Sequence, residues 1–216
     1  MSETYREEKM RKEILVVPTG ALLDCVTARW FISHQEIDLE SKILANMQYK
    51  VRWDMEHDPS YQQPIPYGIV RNPESRKIVW YKRWDASSIN GEERIHGKWS
   101  VGVWGHIEKL EVEWESNPLY ATILQEVEEE IHLSWDQIKD VKLLWYIKLD
   151  GGVEEYHLWV IYLISTQVDD VSINDWEIAK VHMLSLHEIQ TIIDSSDAEL
   201  ERWSELVVKN FDTLIS

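Results

Sequence analysis

The chain has 216 residues, 44% of them hydrophobic, which is enough for a folded domain with a substantial core and argues against disorder. Its formal net charge of −17 would repel a phosphate backbone, so we expect no nucleic-acid partner. Residues 1–12 are almost wholly polar, no apolar run is long enough to cross a bilayer, and Cys25 is the single cysteine, so we expect a soluble cytoplasmic protein without secretory signal, membrane span or disulfide framework.

The first half of the chain predicts strands separated by loops. A strand is expected within residues 13–22, where an apolar, β-branched run is followed by the turn signal Pro18-Thr19-Gly20. Residues 30–58 are ambiguous and fit a helix followed by a strand, whereas residues 59–66 are expected to form a loop. Further strands are expected at residues 67–70, 77–84 and 97–107, separated by a turn at 72–75 and a loop at 85–93.

A helix start is predicted at Asn117-Pro118. Asparagine is a good N-cap residue, and proline at the first helical position loses no hydrogen bond. Apolar residues then recur at three- and four-residue spacing as far as Leu133, which predicts an amphipathic helix. We call it the acidic helix because its exposed side is rich in glutamate.

The rest of the chain predicts more strands and a helical end. The expected elements are strands at residues 141–149 and 156–165 joined by a turn at 150–152, a short strand at 182–184, a short helix at 185–193 and a closing helix at about 197–214. Strands before a helix, further strands and a closing helix indicate an α/β (α+β) fold with a mixed sheet.

Three glutamates of the acidic helix share one face. Glu126, Glu129 and Glu130 stand at positions i, i+3 and i+4, where like charges repel one another. A hard divalent cation such as Mg²⁺ or Mn²⁺ would turn that repulsion into coordination. Taken alone, a solvated acidic face is the more common explanation of such a pattern.

The surrounding sequence resembles the signature of the Nudix hydrolases. That signature is a glycine, five residues, a glutamate, seven residues, Arg-Glu, an aliphatic residue, any residue, Glu-Glu, any residue, a glycine and an aliphatic residue. Gly105 and Glu111 correspond to its first half. Glu126, Val127, Glu129, Glu130 and Leu133 correspond to its second half. Thirteen residues, 112–124, stand where the signature has seven, and we interpret the difference as a loop insertion.

The resemblance covers residues 65–216, which we expect to form a Nudix hydrolase-like domain. It implies an α/β/α sandwich with a mixed sheet. Residues 1–64 are not covered by it, and we expect this N-terminal segment to be part of the same domain.

The sequence departs from the signature at three positions. Gln125 stands for the arginine, His132 for the closing glycine, and Trp104 for a glycine that usually precedes Gly105. Glycine is favoured at the closing position because it accepts the left-handed conformation at a helix end. These departures keep a second interpretation open, a catalytically impaired Nudix-like module that binds a nucleotide or has a regulatory role.

The resemblance implies a metal-dependent hydrolase that cleaves a diphosphate linkage in a nucleoside diphosphate derivative. The substrate would be a small nucleotide-like molecule, the cofactor Mg²⁺ or Mn²⁺, and a homodimer is left open. Glu126, Glu129 and Glu130 would be the catalytic and metal-binding residues, with the backbone carbonyl of Trp104 as a further ligand.

Substrate contacts and the general base are less defined. Lys98, Gly105 and His106 are candidates for contact with phosphate, although surface lysines and such histidines are more often structural. The base is either a glutamate of the signature or one of Glu154 and Glu155, for which a solvated turn is the more common role.

Tryptophan is unusually frequent, with twelve residues. An indole ring can stack on a base or sugar, or it can fill a core. We favour core packing for most of them and keep Trp30, Trp53 and Tyr61 as candidates for stacking a base.

Overall fold

The structure is a computed structural model that describes residues 2–23, 31–84, 95–109, 117–173, 178–196 and 198–215. The helices are α1 Ser2–Arg11, α2 Thr19–Leu23, α3 Leu39–Asn46, α4 Arg52–Met55, α5 Pro118–Ile131, α6 Leu186–Ser195, α7 Arg202–Lys209 and α8 Phe211–Leu214. The strands are β1 Glu13–Pro18, β2 Phe31–Ser33, β3 Gln48–Val51, β4 Tyr61–Asn72, β5 Lys77–Arg83, β6 Trp99–Ser100, β7 Val103–Trp104, β8 Ile138–Lys148, β9 His157–Thr166 and β10 Ile178–Ser185.

The strands form one mixed sheet with the central order β10-β5-β4-β9-β8-β2. β4 and β9 run parallel, whereas the other recorded pairs along this path are antiparallel. Both central strands are buried over almost their whole length, as expected for strands covered on both faces. β6 and β7 add short pairings to β5 and β4.

Helices cover both faces of this sheet. α5 packs with Ile123 and Val127 in a core that also contains Val70 and Val160. α6, α7 and α8 bury Ile189, Trp203 and Phe211, one from each helix, in a second core on the opposite face, which includes Ile69 and Trp159. The predicted α/β/α sandwich with a mixed sheet is confirmed.

The acidic helix, α5, begins where its cap residue predicts. The side chain of Asn117 accepts hydrogen bonds from the N–H groups of Leu119 and Tyr120, at 3.1 and 3.3 Å. The helix ends at His132, whose φ of 55° is left-handed. His132 therefore adopts the left-handed conformation for which the signature has glycine, although histidine stands at this position.

The N-terminal segment contributes to the same sheet. β1 pairs with β3 and with the beginning of β4, and β2 pairs with β8. Glu40 of α3 accepts hydrogen bonds from the Asn117 side chain at 2.9 Å and from the Tyr162 hydroxyl at 2.8 Å. Residues of this segment thus contact the start of the acidic helix directly.

The expected loop at residues 59–66 is wrong, because β4 begins at Tyr61. Pro64 and Pro66 suggested a loop since proline lacks a backbone donor. They stand two residues apart, so both missing donors face the same side of the strand. Among the described strands, only β9 pairs with residues 63–66 of β4. The opposite edge of β4 has no described strand neighbour there, so the N–H groups that the two prolines lack are not needed for pairing.

Two further expectations differ in their boundaries. The closing helix begins at Arg202 and is interrupted at Asn210, so that α7 and α8 replace a continuous helix. The strand expected at residues 97–107 consists of the short β6 and β7. In the part of the chain that the structure describes, no helix is long and apolar enough to span a bilayer.

Candidate metal and active site

The site is built where the acidic helix passes the residues that follow β7. Glu126 is half-buried, and its carboxyl group packs against the Cα atom of Gly105. A Cβ atom on residue 105 would overlap Oε1 and Cδ of Glu126. Only glycine allows this approach without displacing the carboxyl group, so the structure brings these two residues of the signature together.

Glu130 lies one helical turn beyond Glu126 and is buried, with 4% of its surface exposed. Its Oε1 atom is 3.6 Å from Nη1 of Arg83, the last residue of β5. Arg83 is equally buried and lies 3.3 Å from Oε1 of Glu201, at the start of α7. One guanidinium group therefore lies between a glutamate of the acidic helix and a glutamate of the closing helices.

Glu129 has a different environment. It is exposed and accepts a hydrogen bond of 2.7 Å from the Gln125 side chain. Across the described ranges, no three histidine, cysteine, aspartate or glutamate side chains are close enough together to hold a metal ion. The three glutamates stand about one helical turn apart, but Glu130 is buried and Glu129 is exposed, and in this conformation their carboxylates do not form a ready three-ligand cluster.

The electrostatics of the pair Glu126 and Glu130 suit a cation. Burial raises the pKa of Glu126 well above its ordinary value, and the negative charges of Glu130 and Glu129 raise it further. Lys9 and Arg83 act in the opposite direction. Two carboxylates that are costly to ionise together form an oxygen donor set that a hard divalent ion would stabilise. The chemistry of the donor pair Glu126 and Glu130 therefore fits Mg²⁺ or Mn²⁺.

Trp104 directs its bulk away from the acidic helix. Its ring packs edge-on against Trp159 and Trp203, at centroid distances of 5.2 and 5.4 Å, in the core under α7. The residue is also not among the non-glycine residues with positive φ. Tryptophan is thus accepted at the position before Gly105 without backbone strain, and its carbonyl precedes the contact with Glu126.

The other predicted contacts are spread out. His106 follows Gly105, and its Nε2 lies 3.0 Å from Oε1 of Gln63. Lys98 forms an ion pair of 2.9 Å with Glu199, ahead of α7. Glu154 is buried and forms an ion pair of 3.2 Å with Arg202, while Glu155 is exposed. His106 is therefore next to the Gly105–Glu126 contact, whereas Lys98 and Glu154 have ion-pair partners elsewhere.

Several candidates from the sequence contribute little to this geometry. Glu111, Cys25 and Trp30 lie outside the described residues. Trp53 is 68% exposed on α4, and Tyr61 packs under the ammonium group of Lys50 at 4.6 Å. Among the described tryptophans, Trp99 and Trp145 are partly buried against the core, Trp84 and Trp135 are exposed like Trp53, and four are buried in the core: Trp80, Trp104, Trp159 and Trp203.

Arg83 is the residue that the sequence reasoning missed. In a strand, alternate residues share a face, so Arg83 lies on the same side as Val79 and Tyr81, which belong to the core under the acidic helix. An arginine in line with buried residues predicts a carboxylate partner, because an unpaired buried charge is costly. That signal was available in the sequence.

Comparison with known proteins agrees with this architecture. No family model matches the sequence. The structure superposes on the crystal structure of Tm1382, a protein provisionally assigned to the Nudix hydrolases, with a TM-score of 0.72 and 19% identity over 94% of this chain and 99% of that chain. A Nudix hydrolase from Alicyclobacillus acidocaldarius gives a TM-score of 0.52 and 10% identity over 72% of this chain and 92% of that chain. The chain therefore has the fold of the Nudix hydrolases.

One curated protein is similar at the sequence level. Protein YmaB of Bacillus subtilis (strain 168) is 25% identical over 211 residues, which cover 93% of this chain and 97% of that protein. This match and the one to Tm1382 each cover more of the chain than residues 65–216 alone. Both therefore extend into the N-terminal segment.

Proposed function

We propose that the protein is a Mg²⁺- or Mn²⁺-dependent hydrolase that cleaves a diphosphate linkage in a nucleoside diphosphate derivative. The observation that carries the proposal is the contact of the Glu126 carboxyl group with Gly105, with Glu130 one turn further along the same helix. Glu126 and Glu130 would hold the ion, and the Trp104 carbonyl, directly before Gly105, is a further candidate ligand. The fold shared with Tm1382 supports this assignment.

When bound, the ion would neutralise the diphosphate and make water more acidic. Gly105, which has no side chain, would keep the backbone close to the Glu126 carboxyl group at the ion. His106, the next residue, is half-buried and is our candidate for a phosphate contact. Lys98 is the weaker candidate because its ammonium group already pairs with Glu199.

Glu129 is our candidate for the general base. Its carboxylate is exposed on the same face of the helix and can accept a proton from water after a change of rotamer. Glu155 is exposed in the turn before β9 and is a second choice, whereas Glu154 is engaged with Arg202. The substrate class stays that of a small nucleotide-like molecule.

The test is metal-dependent release of phosphate-containing products from a panel of nucleoside diphosphate derivatives. Turnover should need Mg²⁺ or Mn²⁺ and fall in Glu129→Gln and Glu130→Gln. Glu128→Gln is the matched control, because Glu128 is an exposed glutamate of the same helix outside the proposed set. Turnover at the wild-type rate in Glu130→Gln would contradict the proposed role of these glutamates. An equal loss of turnover in Glu128→Gln and Glu130→Gln would contradict it as well.

A second candidate is a binding or regulatory module without turnover. It is favoured by the pairing of Glu129 with Gln125 and of Glu130 with Arg83, which leaves no ready three-ligand cluster among the described residues. Such a module would gain thermal stability from a nucleoside diphosphate derivative without releasing products. Measuring both quantities on the same panel separates the two candidates.

A further inference from the structure

Arg83 joins three parts of the molecule around the candidate site. Its Nε lies 3.3 Å from Oε1 of Glu201, and its Nη1 lies 3.6 Å from Oε1 of Glu130. Its Nη2 donates a hydrogen bond of 2.9 Å to the hydroxyl of Tyr81. That hydroxyl in turn donates to the carbonyl of Gly102 at 3.0 Å, in the turn that leads to Gly105.

The contacts of Arg83 are buried. Arg83 and Glu130 expose 4% of their surfaces and Glu201 exposes 1%. The guanidinium group also lies over the Trp104 ring, with Cζ 5.3 Å from the ring centroid. In such surroundings the interaction is little screened, and the planar guanidinium group fixes the direction of each bond that it donates.

Glu201 gives Arg83 its orientation. Glu201 precedes the first residue of α7, and its backbone N–H donates to the carbonyl of Trp99 at 3.0 Å, so its own position is set by the sheet. Burial raises the pKa of Glu201, and the charge of Arg83 opposes this rise. Arg83 therefore offsets part of the cost of burying the Glu201 carboxylate, and another edge of the guanidinium group faces Glu130.

We propose that Arg83, held by Glu201, is a positioning residue that fixes the orientation of the Glu130 carboxylate in the metal site. The inference rests on the metal-binding part of the proposed function. It assigns to a strand residue far from the signature a role that Gln125 cannot fulfil, because Gln125 carries no charge and is bonded to Glu129 at the surface.

Two simpler roles for Arg83 make different predictions. If it only supplies positive charge, lysine will replace it fully. If it only stabilises the fold, substitution will lower the melting temperature and leave metal affinity unchanged. A positioning role requires that lysine, which keeps the charge but lacks the planar fork, weakens metal binding.

The experiment is a Mn²⁺ titration of the metal-free full-length protein, with free Mn²⁺ measured by electron paramagnetic resonance. Arg83→Lys should weaken binding by about 10- to 100-fold, the usual cost of losing a contact that orients a ligand. Arg52→Lys is the matched control, because Arg52 of α4 forms a half-buried ion pair with Glu56, the residue that follows this helix. Its Mn²⁺ affinity should equal that of the wild type.

Glu201→Gln is the second variant, and it keeps the inference testable if Arg83→Lys does not fold. It changes no proposed ligand, yet it should weaken Mn²⁺ binding in the same direction because Arg83 loses its anchor. Wild-type affinity in either folded variant would overturn the inference. Wild-type protein that binds Mn²⁺ through Glu130 but hydrolyses no compound would refute the proposed hydrolase and leave the inference standing, whereas wild-type protein that binds no Mn²⁺ would overturn both.

Discussion

The Glu126 carboxyl group packs directly on the Cα atom of Gly105, so that no side chain fits between the acidic helix and the residues after β7. The two residues are 21 positions apart in the sequence. Because of this contact, the carboxylate that we propose as a metal ligand lies next to the backbone that follows Trp104.

Gly105→Ala should separate function from folding. Gly105 is not among the glycines with positive φ, so its backbone accepts alanine, and the group that must move is the flexible end of the Glu126 side chain. We expect the stability to change by no more than about 1 kcal/mol. Metal-dependent turnover should fall by about 100-fold, as a displacement of about 1 Å can cause. Urea unfolding and steady-state turnover measure the two effects.

Gly20→Ala is the control for this prediction. Gly20 lies in α2, and a Cβ atom there would have no heavy atom within 4 Å. Its turnover should match that of the wild type. Equal turnover in Gly105→Ala and Gly20→Ala would mean that the position of the Glu126 carboxyl group is irrelevant to activity.

Glu126→Gln should stabilise the metal-free protein near neutral pH. Burial and the charges of Glu130 and Glu129 raise the pKa of Glu126 above its ordinary value of 4.5. The folded state therefore holds a proton that the unfolded state releases, and the stability contributed by this group is lost as the pH rises above 4.5 through the higher folded pKa. Glutamine does not ionise, so the variant does not lose stability in this way.

The measurement is urea unfolding of both proteins in EDTA across a pH series. As the pH rises from 4.5, the free energy of unfolding of Glu126→Gln should increase relative to that of the wild type. An excess of Mn²⁺ should make the wild type the more stable protein, because Glu126 binds the ion and glutamine does not. A stability difference that does not change with pH would show that Glu126 titrates alike in the folded and unfolded states.

Trp104→Ala should be strongly destabilising. The ring contacts Trp159 and Trp203 in the core under α7, and only 8% of the residue is exposed. Truncation of a buried tryptophan costs about 3–5 kcal/mol, which is a large fraction of a typical domain's stability. Trp53→Ala is the control, since Trp53 is 68% exposed and should change the stability by less than about 0.5 kcal/mol. Similar losses in the two variants would contradict a packing role for Trp104.

Asn117→Ala should weaken the start of the acidic helix by about 0.5–2 kcal/mol, the usual cost of losing an N-cap. It also removes the bond from the Asn117 side chain to Glu40, through which the N-terminal segment contacts the helix. Asn46→Ala is the matched control, because Asn46 is exposed at the end of α3 and its side chain donates to the carbonyl of Lys42 in the same helix. Chemical denaturation should show a clear loss for Asn117→Ala and none beyond about 0.5 kcal/mol for Asn46→Ala.

The sequence predicts the elements whose signals are local. Asn117 and Pro118 mark the beginning of α5, and the left-handed His132 stands where the signature has glycine. The turn at residues 72–75 separates β4 from β5 as expected. Each of these features depends on the conformational preferences of a few neighbouring residues, which the sequence shows directly.

Features that depend on distant partners were harder to predict. Pro64 and Pro66 suggested a loop because nothing local shows that one side of β4 needs no donors there. The pattern of β5 predicts a carboxylate partner for Arg83 but not which one, because Glu130 and Glu201 are 47 and 118 residues away in the chain. The side-chain direction of Glu129, toward Gln125, likewise depends on rotamers that spacing along a helix does not define.

The most direct test of the metal site is a crystal structure of the full-length protein grown with Mn²⁺, with the ion located by its anomalous scattering. We predict a peak at coordination distance from carboxylate oxygens of Glu126 and Glu130, beside Gly105. Glu129 should turn from Gln125 toward the same ion. Saturating Mn²⁺ that gives no peak there, or only a peak on the outer side of the helix at Glu128, would contradict the proposed metal site and the hydrolase built on it.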